Sequence, residues 1–561
     1  MKAFDHRKYR PTDSPPIAQR QWPNKVITKA PLWTSVDLRD GNQALLEPMN
    51  PAQKKRMWAL LLKIGIKEIE VGFPSASQPD YDFVRWAIEQ KQIPDDVTIQ
   101  VLVQARHDLI TRTFESVKGA RRAIVHLYNS TSPVQRERVF GLDRKGITAI
   151  AAQGAAWVKA EAAKYPGTEW IFEYSPESFT STETEYAVEI CDAVMDVWQP
   201  TPQKKCIINL PTTVEVATPN VFADQVEYFH THFSRRDSII LSVHTHNDRG
   251  TGVAAGELAL LAGADRVEGT LLGNGERTGN MDITTMAMNL YSQGVDPELD
   301  LSNPDEIIQV VTECTDIPLH PRHPWLGELV YTAFSGSHQD AIRKCLHIQK
   351  PGEPWQVAYL PIDPKDLGRD YQEVIRVNSQ SGKGGVAFVL ERDYGLMLPR
   401  WLQVELAQEV QKHSEVHGGE VDGATIHRIF KQRFVADSAP LALSGYQLDR
   451  SAGRDAIKVH VSKGGTKRTL QGDGEGALSA FVDALMRHGG RRIAVVDYSE
   501  HAIGAGTNAE AVTYVQLNID GRRVAGVAFD QDVVSASMKA VLSAWNRAEL
   551  EARQGGAQKV A

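Results

Sequence analysis

The feature that most constrains this 561-residue chain is an alternation of eight strand-length apolar runs with stretches of helical apolar spacing. The apolar runs are Leu32–Leu38, Ile66–Phe73, Thr98–Gln104, Arg122–Tyr128, Trp170–Tyr174, Cys206–Leu210, Ile239–His246 and Asp265–Leu272. The helical stretches include Pro51–Lys63, Ile147–Tyr165, Thr184–Val197, Thr218–Phe233, Gly250–Ala262 and Ile283–Tyr291. Eight strands alternating with helices over roughly 260 residues match a (β/α)₈ TIM barrel, and we predict this α/β fold. A doubly wound sheet with extra strands is the alternative.

The rest of the chain divides around this barrel, which we place at residues 31–303. Residues 1–30 are polar and rich in Pro and Arg, and we expect an arm that is ordered on a partner subunit. After residue 303 the alternation stops, and residues 304–440 form a mainly helical connector with Pro- and Gly-rich breaks. Residues 441–561 form a separate C-terminal α+β domain.

A weak internal repeat supports that last domain. The first copy comprises a strand Ile457–Val461, a turn Lys463–Gly465, a strand to Leu470 and a helix Gly476–Met486. The second comprises Val512–Leu517, an Asp520-Gly521 turn, Val524–Ala528 and a helix Val533–Ala544. Asp-Gly between alternating strands is a strong hairpin signal. Two such hairpin-plus-helix units predict a pseudo-symmetric domain.

Charge and cysteine content exclude several classes of protein. The net charge is −8, from 62 Lys and Arg against 70 Asp and Glu, so no global attraction to nucleic acid or to an anionic membrane is expected. No apolar run reaches the ~18 residues of a membrane span, and the N-terminus has no apolar signal core. Four cysteines without CxxC pairing predict reduced thiols in a cytoplasmic protein.

The strongest candidate site follows the first, seventh and eighth strands, whose C-terminal ends share the functional rim of a barrel. His244 and His246 are two apart on a strand and project to the same face, so they can share one cation. Asp40 can add a carboxylate and Asn280 an amide oxygen. Such a mixed N/O set suits Mg²⁺, Mn²⁺ or Zn²⁺. The alternative is a pair of structural histidines.

Polar side chains also end other strands of the predicted barrel, among them Glu70, His126, Glu177 and Thr213. Arg39 lies beside Asp40, where a guanidinium could polarise a metal-bound carbonyl and stabilise developing alkoxide charge. The spacing leaves open whether Arg39 instead pairs with a barrel carboxylate such as Glu70.

Two glycine-rich segments are weaker features. Gly273–Asn280 lacks the GxGxxG spacing of a dinucleotide-binding turn, so we predict no NAD site. Gly472–Gly476 is expected to connect a strand to a helix, where its amides could hold a small anion or a carboxylate. A plain turn is the alternative for this segment.

Five motifs together resemble the 2-isopropylmalate synthases. They are LRDGNQ (Leu38–Gln43), EVGFPSAS (Glu70–Ser77), EYSPE (Glu173–Glu177), HTHND (His244–Asp248) and GNGERTGN (Gly273–Asn280). They occur in that order on the expected strands, and the resemblance covers nearly the whole chain. The motifs are highly specific for metal-dependent Claisen-condensing barrels and less specific for the particular 2-oxo acid. GDGEG before a helix resembles the family's leucine-binding regulatory domain.

The resemblance implies a reaction and its partners. The family joins acetyl-CoA to 2-oxoisovalerate, hydrolyses the thioester and releases 2-isopropylmalate and CoA, the committed step of leucine biosynthesis. It further implies a homodimer, feedback inhibition by leucine, a divalent metal (Mg²⁺ first, with Mn²⁺ or Zn²⁺ as alternatives) and K⁺ as an activating ion.

The resemblance also assigns roles to residues. The family's metal ligands match Asp40, His244, His246 and Asn280, and Arg39 matches the residue that polarises the keto oxygen. The oxo-acid pocket matches His126, Glu177 and Thr213. Residues proposed to help deprotonate acetyl-CoA match His338 and Tyr371, with Glu177 as another option for the base. The leucine site is expected at Gly472, Asp473, Gly474, Ile503, Gly504 and Ala505. One departure is Ala341, where the family ordinarily has glycine.

Three other functions compete with this one. A citramalate synthase, a homocitrate synthase or an acyl-CoA lyase could use the same barrel and metal site, although lyases generally lack the terminal domain. A metal-dependent amidohydrolase also uses HxH, but after strand one with an Asp after strand eight, which is the reverse of the order here. A non-enzymatic amino-acid sensor is the third alternative.

Overall fold

The computed structural model describes residues 6–8, 10, 12–369, 377, 383–435, 440–451, 453–504 and 509–557. They belong to two compact units, one formed by residues 1–330 with Asp366–Gly368 and the other by Tyr331–Lys365 and the chain from Arg369 onward. None of the described helices is both long and apolar enough to cross a membrane. The division into segments 1–30, 31–303, 304–440 and 441–561 stays a prediction.

The first unit contains a closed barrel of eight parallel strands in sequential order. Its strands are β1 (Leu32–Ser35), β2 (Glu68–Gly72), β3 (Thr98–Gln104), β4 (Arg122–Ser130), β5 (Glu169–Glu177), β6 (Cys206–Thr212), β7 (Ile239–Thr245) and β8 (Arg266–Gly269). Pairing of β1 with β8, with Leu32 opposite Arg266, closes the sheet. The predicted (β/α)₈ barrel is therefore confirmed, and the open doubly wound alternative is wrong.

Helices connect and cover these strands. They are α1 (Asp40–Gln43), α2 (Pro51–Ile64), α3 (Gln78–Glu89), α4 (His107–Val117), α5 (Pro133–Gln135), α6 (Arg144–Ala163), α7 (Thr184–Trp198), α8 (Pro219–His232), α9 (Gly252–Leu261), α10 (Ile283–Ser292) and α11 (Pro304–Thr315). Local sequence sets their ends, as in α2, where Asn50 and Gln53 form a capping box and Gly65 ends the helix at φ 101°. The side chain of Gln53 donates to the carbonyl of Glu313, which ties α11 to α2.

Arg20, Gln21 and Trp22 of the N-terminal arm contact the barrel of the same chain, and the expectation that the arm is ordered on a partner subunit stays a prediction. The guanidinium of Arg20 donates two 2.8 Å hydrogen bonds to Asp224, and the indole N–H of Trp22 donates a third at 2.9 Å. The backbone N–H groups of Gln21 and Trp22 donate to Glu227. Asp224 and Glu227 are both buried on α8. Buried carboxylates require donors, and the arm supplies them.

The second unit combines helices with two small antiparallel sheets. Its helices are α12 (Gly336–Ile348), α13 (Lys383–Tyr394), α14 (Arg400–His417), α15 (Gly423–Phe434), α16 (Ala477–Gly489) and α17 (Val533–Ala557). Its strands are β9 (Ala442–Ser451), β10 (Arg454–Lys463), β11 (Thr466–Gly474), β12 (Ile493–Ile503), β13 (Glu510–Ile519) and β14 (Arg522–Asp530). The sheet orders are β11-β10-β9 and β12-β13-β14.

The internal repeat is present, and each copy has one strand more than the hairpin and helix predicted. The additional strands, β9 and β12, precede the hairpins and pair with β10 and β13. Residues from both sheets and from α16 and α17 share one apolar core, which includes Val459, Phe481, Leu517 and Trp545. A second core joins α13, α14 and α15 to the opposite face of the β12-β13-β14 sheet, where Leu406 and Phe430 cluster with Tyr514.

Equivalent glycines in the two copies let a strand approach its helix closely. A β-carbon at Gly472 would overlap the carbonyl oxygen of Ala480 and lie 2.5 Å from the nitrogen of Ala484. A β-carbon at Gly526 would overlap the carbonyl of Ala540 in the same way and lie 2.6 Å from the nitrogen of Ala544. The two copies are therefore alike even in the short distance between strand and helix. Only glycine permits so close an approach.

Replacing Gly526 with alanine should destabilise the second unit, because the added methyl must displace α17 from β14. Overpacking of this kind costs about 1–3 kcal/mol. Differential scanning calorimetry of the full chain should show a lower melting temperature for Gly526→Ala. Gly445→Ala is the matched control, since a β-carbon at Gly445 in β9 has no neighbour within 4 Å. Equal melting temperatures for the two variants would contradict the packing argument.

Candidate active site

The structure brings together three of the four predicted metal ligands at the C-terminal rim of the barrel. His244 lies on β7, and His246 comes directly after the last residue of that strand. Asp40 is the first residue of α1, which follows β1. One ligand atom of each lies within 4.8 Å of the others, and all three residues are buried. The Oδ2 atom of Asp40 is 3.2 Å from Nε2 of His246 and 3.7 Å from Nε2 of His244.

Acceptors behind the two imidazoles fix which nitrogen faces Asp40. The carboxylate of Glu268 lies 2.8 Å from Nδ1 of His244, and the carbonyl oxygen of Thr212 lies 2.9 Å from Nδ1 of His246. Because both partners accept, each Nδ1 carries a proton and donates it. Both Nε2 atoms are therefore directed at Asp40. With Nδ1 committed to an acceptor, Nε2 is the ring atom that remains for a metal ion.

The charges at this centre support one another. Burial alone would lower the pKa of His244, but hydrogen bonds to Asp40 and Glu268 raise the pKa to about 9. Burial alone would raise the pKa of Asp40, but Arg39 and the two histidines hold that pKa well below its ordinary value. Asp40 is thus an anion whose carboxylate lies within 3.7 Å of two imidazole nitrogens. This is the arrangement expected where a cation would bind.

Asn280, the fourth predicted ligand, lies next to His246, since the two residues form an isolated antiparallel bridge. Its Nδ2 donates to the carbonyl of Asn274 at 3.0 Å. Its Oδ1 is buried and has no hydrogen-bond partner among the residues that the structure describes. A buried amide oxygen without a hydrogen bond costs folding free energy unless it binds a ligand. Two imidazole nitrogens, one carboxylate and this oxygen fit a divalent cation.

Arg39 combines the two arrangements that the sequence left open. Its guanidinium contacts both Glu70 and Asp40, with 2.8 Å to the carboxylate of Asp40. Burial alone would lower the pKa of Arg39, but Glu70 and Asp40 raise it. Glu70 also accepts from Gln100 at 2.7 Å and from Nδ1 of His126 at 2.9 Å. Glu70 therefore fixes the guanidinium beside the candidate metal centre.

A cavity of about 350 Å³ opens at this centre. Its polar lining includes Arg39, Asp40, His126, Glu177, Thr213, His244 and His246, and its apolar lining includes Phe73, Leu102, Tyr128 and Pro211. The predicted pocket residues are held by neighbours: Nε2 of His126 lies 2.7 Å from Oγ of Ser175, and the Thr213 hydroxyl accepts from the N–H of Ser178 at 2.8 Å. Glu177 accepts from the Ser130 hydroxyl.

His338, the first candidate acetyl-CoA residue, does not belong to the unit that contains the barrel. His338 lies on α12 of the second unit, where its ring stacks on Tyr359 with 3.9 Å between the centroids. Tyr371, its proposed partner, lies outside the described residues. The roles of both stay predictions.

The expected leucine site differs in part from the structure. Gly472, Asp473 and Gly474 belong to β11, so the expectation of an open strand-to-helix loop is wrong for these three residues. The carboxylate of Asp473 pairs with Arg454 and Arg487, and its N–H donates to Asp483 at 3.0 Å. Ile503 ends β12 and lines a cavity of about 510 Å³. Gly504 follows at φ 88°, and Ala505 lies outside the described residues.

The sequence reasoning missed Arg266 and Glu268, whose side chains lie under the candidate metal centre. Arg266 is fully buried and pairs with Glu268 at 2.9 Å and with Glu173 at 3.4 Å. His126, Glu173 and Glu268 also lie close enough to hold a metal, but the guanidinium of Arg266 already supplies a cation there. The available signal was Arg and Glu two apart on an apolar strand, where burial requires pairing.

Comparison with known proteins agrees with this architecture. Residues 30–311 match the HMGL-like family, 328–391 the alpha-isopropylmalate synthase post-catalytic domain-like family, and 420–549 the LeuA allosteric (dimerisation) domain. A 2-isopropylmalate synthase of Alcanivorax borkumensis is 55% identical over 98% of this chain and 99% of its own length. Those of Azotobacter vinelandii (55%; 97% of each chain) and Pseudomonas savastanoi pv. phaseolicola (54%; 96% of this chain, 97% of the relative) are similar. The resemblance found in the motifs is thus confirmed, and the chain is an enzyme that belongs to the 2-isopropylmalate synthase family.

Proposed function

We propose that the enzyme condenses acetyl-CoA with 2-oxoisovalerate, hydrolyses the resulting thioester, and releases 2-isopropylmalate and CoA. The observation that carries this proposal is the convergence of Asp40, His244 and His246 beside Arg39 in one rim cavity. A 2-oxo acid presents a carboxylate and a keto oxygen that can chelate a cation held there. The names of the full-length relatives support the same reaction.

Four side chains would hold the divalent cation. They are Asp40, His244, His246 and Asn280, and the set suits Mg²⁺ first, with Mn²⁺ and Zn²⁺ as alternatives. When bound, the cation supplies Lewis-acid polarisation of the keto group. Asn280 contributes through its buried Oδ1, which has no other partner in the described part of the chain.

Arg39 places a permanent positive charge where the keto oxygen becomes an alkoxide. Its contacts to Glu70 and Asp40 hold the guanidinium in place before the reaction, so no reorganisation is needed as charge develops. The apolar wall formed by Phe73, Leu102 and Pro211 suits a branched alkyl group. A 2-oxo acid that carries a second carboxylate would gain little binding free energy from this apolar surface.

The carbon–carbon bond forms after a base removes a proton from the acetyl methyl group. The enolate carbon then attacks the keto carbon, the alkoxide takes a proton, and water cleaves the thioester to release CoA as a thiol. We propose His338, assisted by Tyr371, as the base, with Glu177 as the alternative, because Glu177 lines the rim cavity.

We further propose that leucine inhibits the enzyme through the C-terminal domain and that the protein is a homodimer. Support comes from the match of residues 420–549 to an allosteric dimerisation domain. The two sites are distinct, so leucine binding and substrate binding should be coupled reciprocally. Gly472, Asp473, Gly474, Ile503, Gly504 and Ala505 remain the proposed leucine residues, of which Ile503 lines a cavity.

Thiol release from acetyl-CoA across a panel of 2-oxo acids tests the reaction. We expect release with 2-oxoisovalerate, loss of release with EDTA, recovery when Mg²⁺ is added back in the presence of K⁺, and inhibition by leucine. Pyruvate and 2-oxoglutarate serve as the comparison substrates. A preference for either of them would overturn the proposed substrate but would not contradict the proposed metal site.

Glu268→Gln tests the metal site through a residue that does not touch the cation. Glutamine keeps the size of Glu268 but can present its amide N–H₂ to His244, which removes the fixed tautomer. Loss of such a supporting contact typically weakens metal binding by about 10–100-fold. Mn²⁺ binding, followed by electron paramagnetic resonance, is the readout. Glu257→Gln on α9, where Glu257 accepts from Asn289, is the control and should bind Mn²⁺ like the wild type. Unchanged affinity in Glu268→Gln would refute the supporting role.

His338→Ala tests the base. If His338 removes the methyl proton, turnover should fall by about 100-fold or more while the affinity for 2-oxoisovalerate changes little. His347→Ala, which removes an exposed histidine from the same helix, should behave like the wild type. A wild-type turnover number for His338→Ala would remove His338 from the mechanism and favour Glu177.

A further inference from the structure

The glycine-rich loop between β8 and α10 contains an arginine that no step of the proposed reaction uses. This residue is Arg277, in the segment Gly273–Asn280 that carries the proposed metal ligand Asn280. Arg277 lines the rim cavity. Its backbone φ is 56°, in the left-handed region that residues other than glycine rarely adopt. A residue keeps such a conformation only where its surroundings fix it, so the contacts of Arg277 show what it does.

The guanidinium of Arg277 connects the loop after β8 to the loops after β6 and β7. Its Nε and Nη2 atoms donate to the two carboxylate oxygens of Asp248, at 2.6 and 3.0 Å. Nη2 also donates to the carbonyl oxygen of Thr213 at 2.6 Å. Thr213 follows β6 and Asp248 follows β7. The planar fork of arginine makes these three hydrogen bonds together, which the point charge of a lysine cannot reproduce.

Each of the three connected loops carries a residue of the proposed active site. The loop after β8 carries Asn280, and Asp248 lies two residues after the metal ligand His246. Thr213 lines the rim cavity, and the carbonyl oxygen of its neighbour Thr212 lies 2.9 Å from Nδ1 of His246. One guanidinium therefore fixes the relative positions of two metal ligands and of the oxo-acid pocket.

Asp248 is itself held from a second direction. The backbone N–H of Glu215 donates to the carboxylate of Asp248 at 2.9 Å. Glu215 is buried and accepts in turn from the N–H of Arg249 at 2.6 Å and from the hydroxyl of Thr251. The loops after β6 and β7 are thus joined to each other without Arg277. The arginine attaches the loop after β8 to this existing frame.

The loop around Arg277 also packs closely against Asn280. The N–H of Asn280 donates to the carbonyl of Gly273 at 3.1 Å. A β-carbon at Gly275 would overlap the side-chain nitrogen of Asn280, so the amide lies against the backbone of the loop. A shift of the loop therefore moves Asn280 with it.

The exposure of the ion pair separates this role from a role in folding. The side chain of Arg277 is 39% exposed and that of Asp248 is 17% exposed. Ion pairs with this much solvent contact contribute little to the free energy of unfolding. Loss of the guanidinium should therefore leave the melting temperature nearly unchanged while the position of the loop changes.

We propose that Arg277 is a positioning residue of this active site. Through Asp248 and the carbonyl of Thr213, it holds Asn280 and the oxo-acid pocket in register with His246. The ligands that depend on this register, a divalent cation and a 2-oxo acid, rest on the proposed function.

Binding of two ligands of opposite charge tests the proposal. Mn²⁺ binding by the full chain is followed by electron paramagnetic resonance, and 2-oxoisovalerate binding at saturating Mn²⁺ by titration calorimetry. Loss of the positive charge alone in Arg277→Gln would strengthen binding of the cation and weaken binding of the anion. Lost positioning weakens both. We expect both affinities to fall, that for Mn²⁺ by about tenfold, as for other residues that support a metal ligand.

Two further variants separate charge from geometry. Arg277→Lys keeps the charge and loses the fork, so both affinities should still fall. Asp248→Asn removes a negative charge, which alone would weaken Mn²⁺ binding and strengthen binding of the oxo acid. If Asp248 connects Arg277 to the site, this variant should also weaken both. Melting temperatures of all three variants should stay close to that of the wild type.

Arg85→Gln is the matched control. The guanidinium of Arg85 on α3 likewise contacts a carboxylate, that of Glu89, and two carbonyl oxygens, those of Ser116 and Lys118. Arg85 does not line the rim cavity, so this variant should bind both ligands like the wild type.

Unchanged Mn²⁺ affinity in Arg277→Gln, or affinities for the two ligands that move in opposite directions, would overturn the role of Arg277. A wild type that binds no Mn²⁺ would overturn the metal site and this inference together. If thiol release selects another 2-oxo acid, the proposed substrate is wrong, and the same variants are measured with that acid. The Mn²⁺ result does not depend on which acid is the substrate.

Discussion

The barrel depends on one buried cation, Arg266 of β8. Its side chain is fully enclosed and donates to Gln100 at 2.6 Å, to Glu68 at 2.6 Å, to Ser242 at 2.8 Å and to Glu268 at 2.9 Å. An unpaired ion in such a place would cost several kcal/mol. The strands must therefore bring their polar side chains to this one point, and this requirement adds to the apolar packing in specifying their register.

The two fully buried carboxylates that pair with Arg266 have pKa values shifted in opposite directions. Burial alone would raise the pKa of Glu268, but Arg266 and His244 hold it well below its ordinary value. Burial raises the pKa of Glu173 well above its ordinary value. Arg266 lowers this pKa, but the negative charges of Glu268 and Glu70 raise it further. The carboxylate of Glu268 accepts from Nδ1 of His244 at 2.8 Å. The charge at the floor of the barrel thus sets the tautomer of a histidine at its rim.

Much of the rim was predictable because strand ends in a closed parallel barrel must meet at one edge. HxH at the end of β7 and Asp40 after β1 follow from that rule, and the structure places them together. The partners of Arg266 were not predictable, since residues from β2, β3 and β8 meet only once the shear of the barrel is known. The strands β9 and β12 were missed for another reason. Both are edge strands, and β12 is exposed along most of its length, so β12 lacks the alternation that marks a half-buried strand.

The two copies of the C-terminal repeat have the same strand and helix order, but their sheets are covered differently, and the sequences of the strands reflect this difference. Both copies use a glycine to seat the strand on its helix, so their helix-facing sides are alike. Their central strands differ on the other side. In β10 the outward residues Lys458 and His460 are exposed, and apolar and polar residues alternate. In β13 the corresponding face carries Val512 and Tyr514, which are buried under α13, α14 and α15. Apolar residues on one face of a strand predict burial of that face, and the apolar Val512 and Tyr514 on the second face of β13 therefore predict burial on both faces.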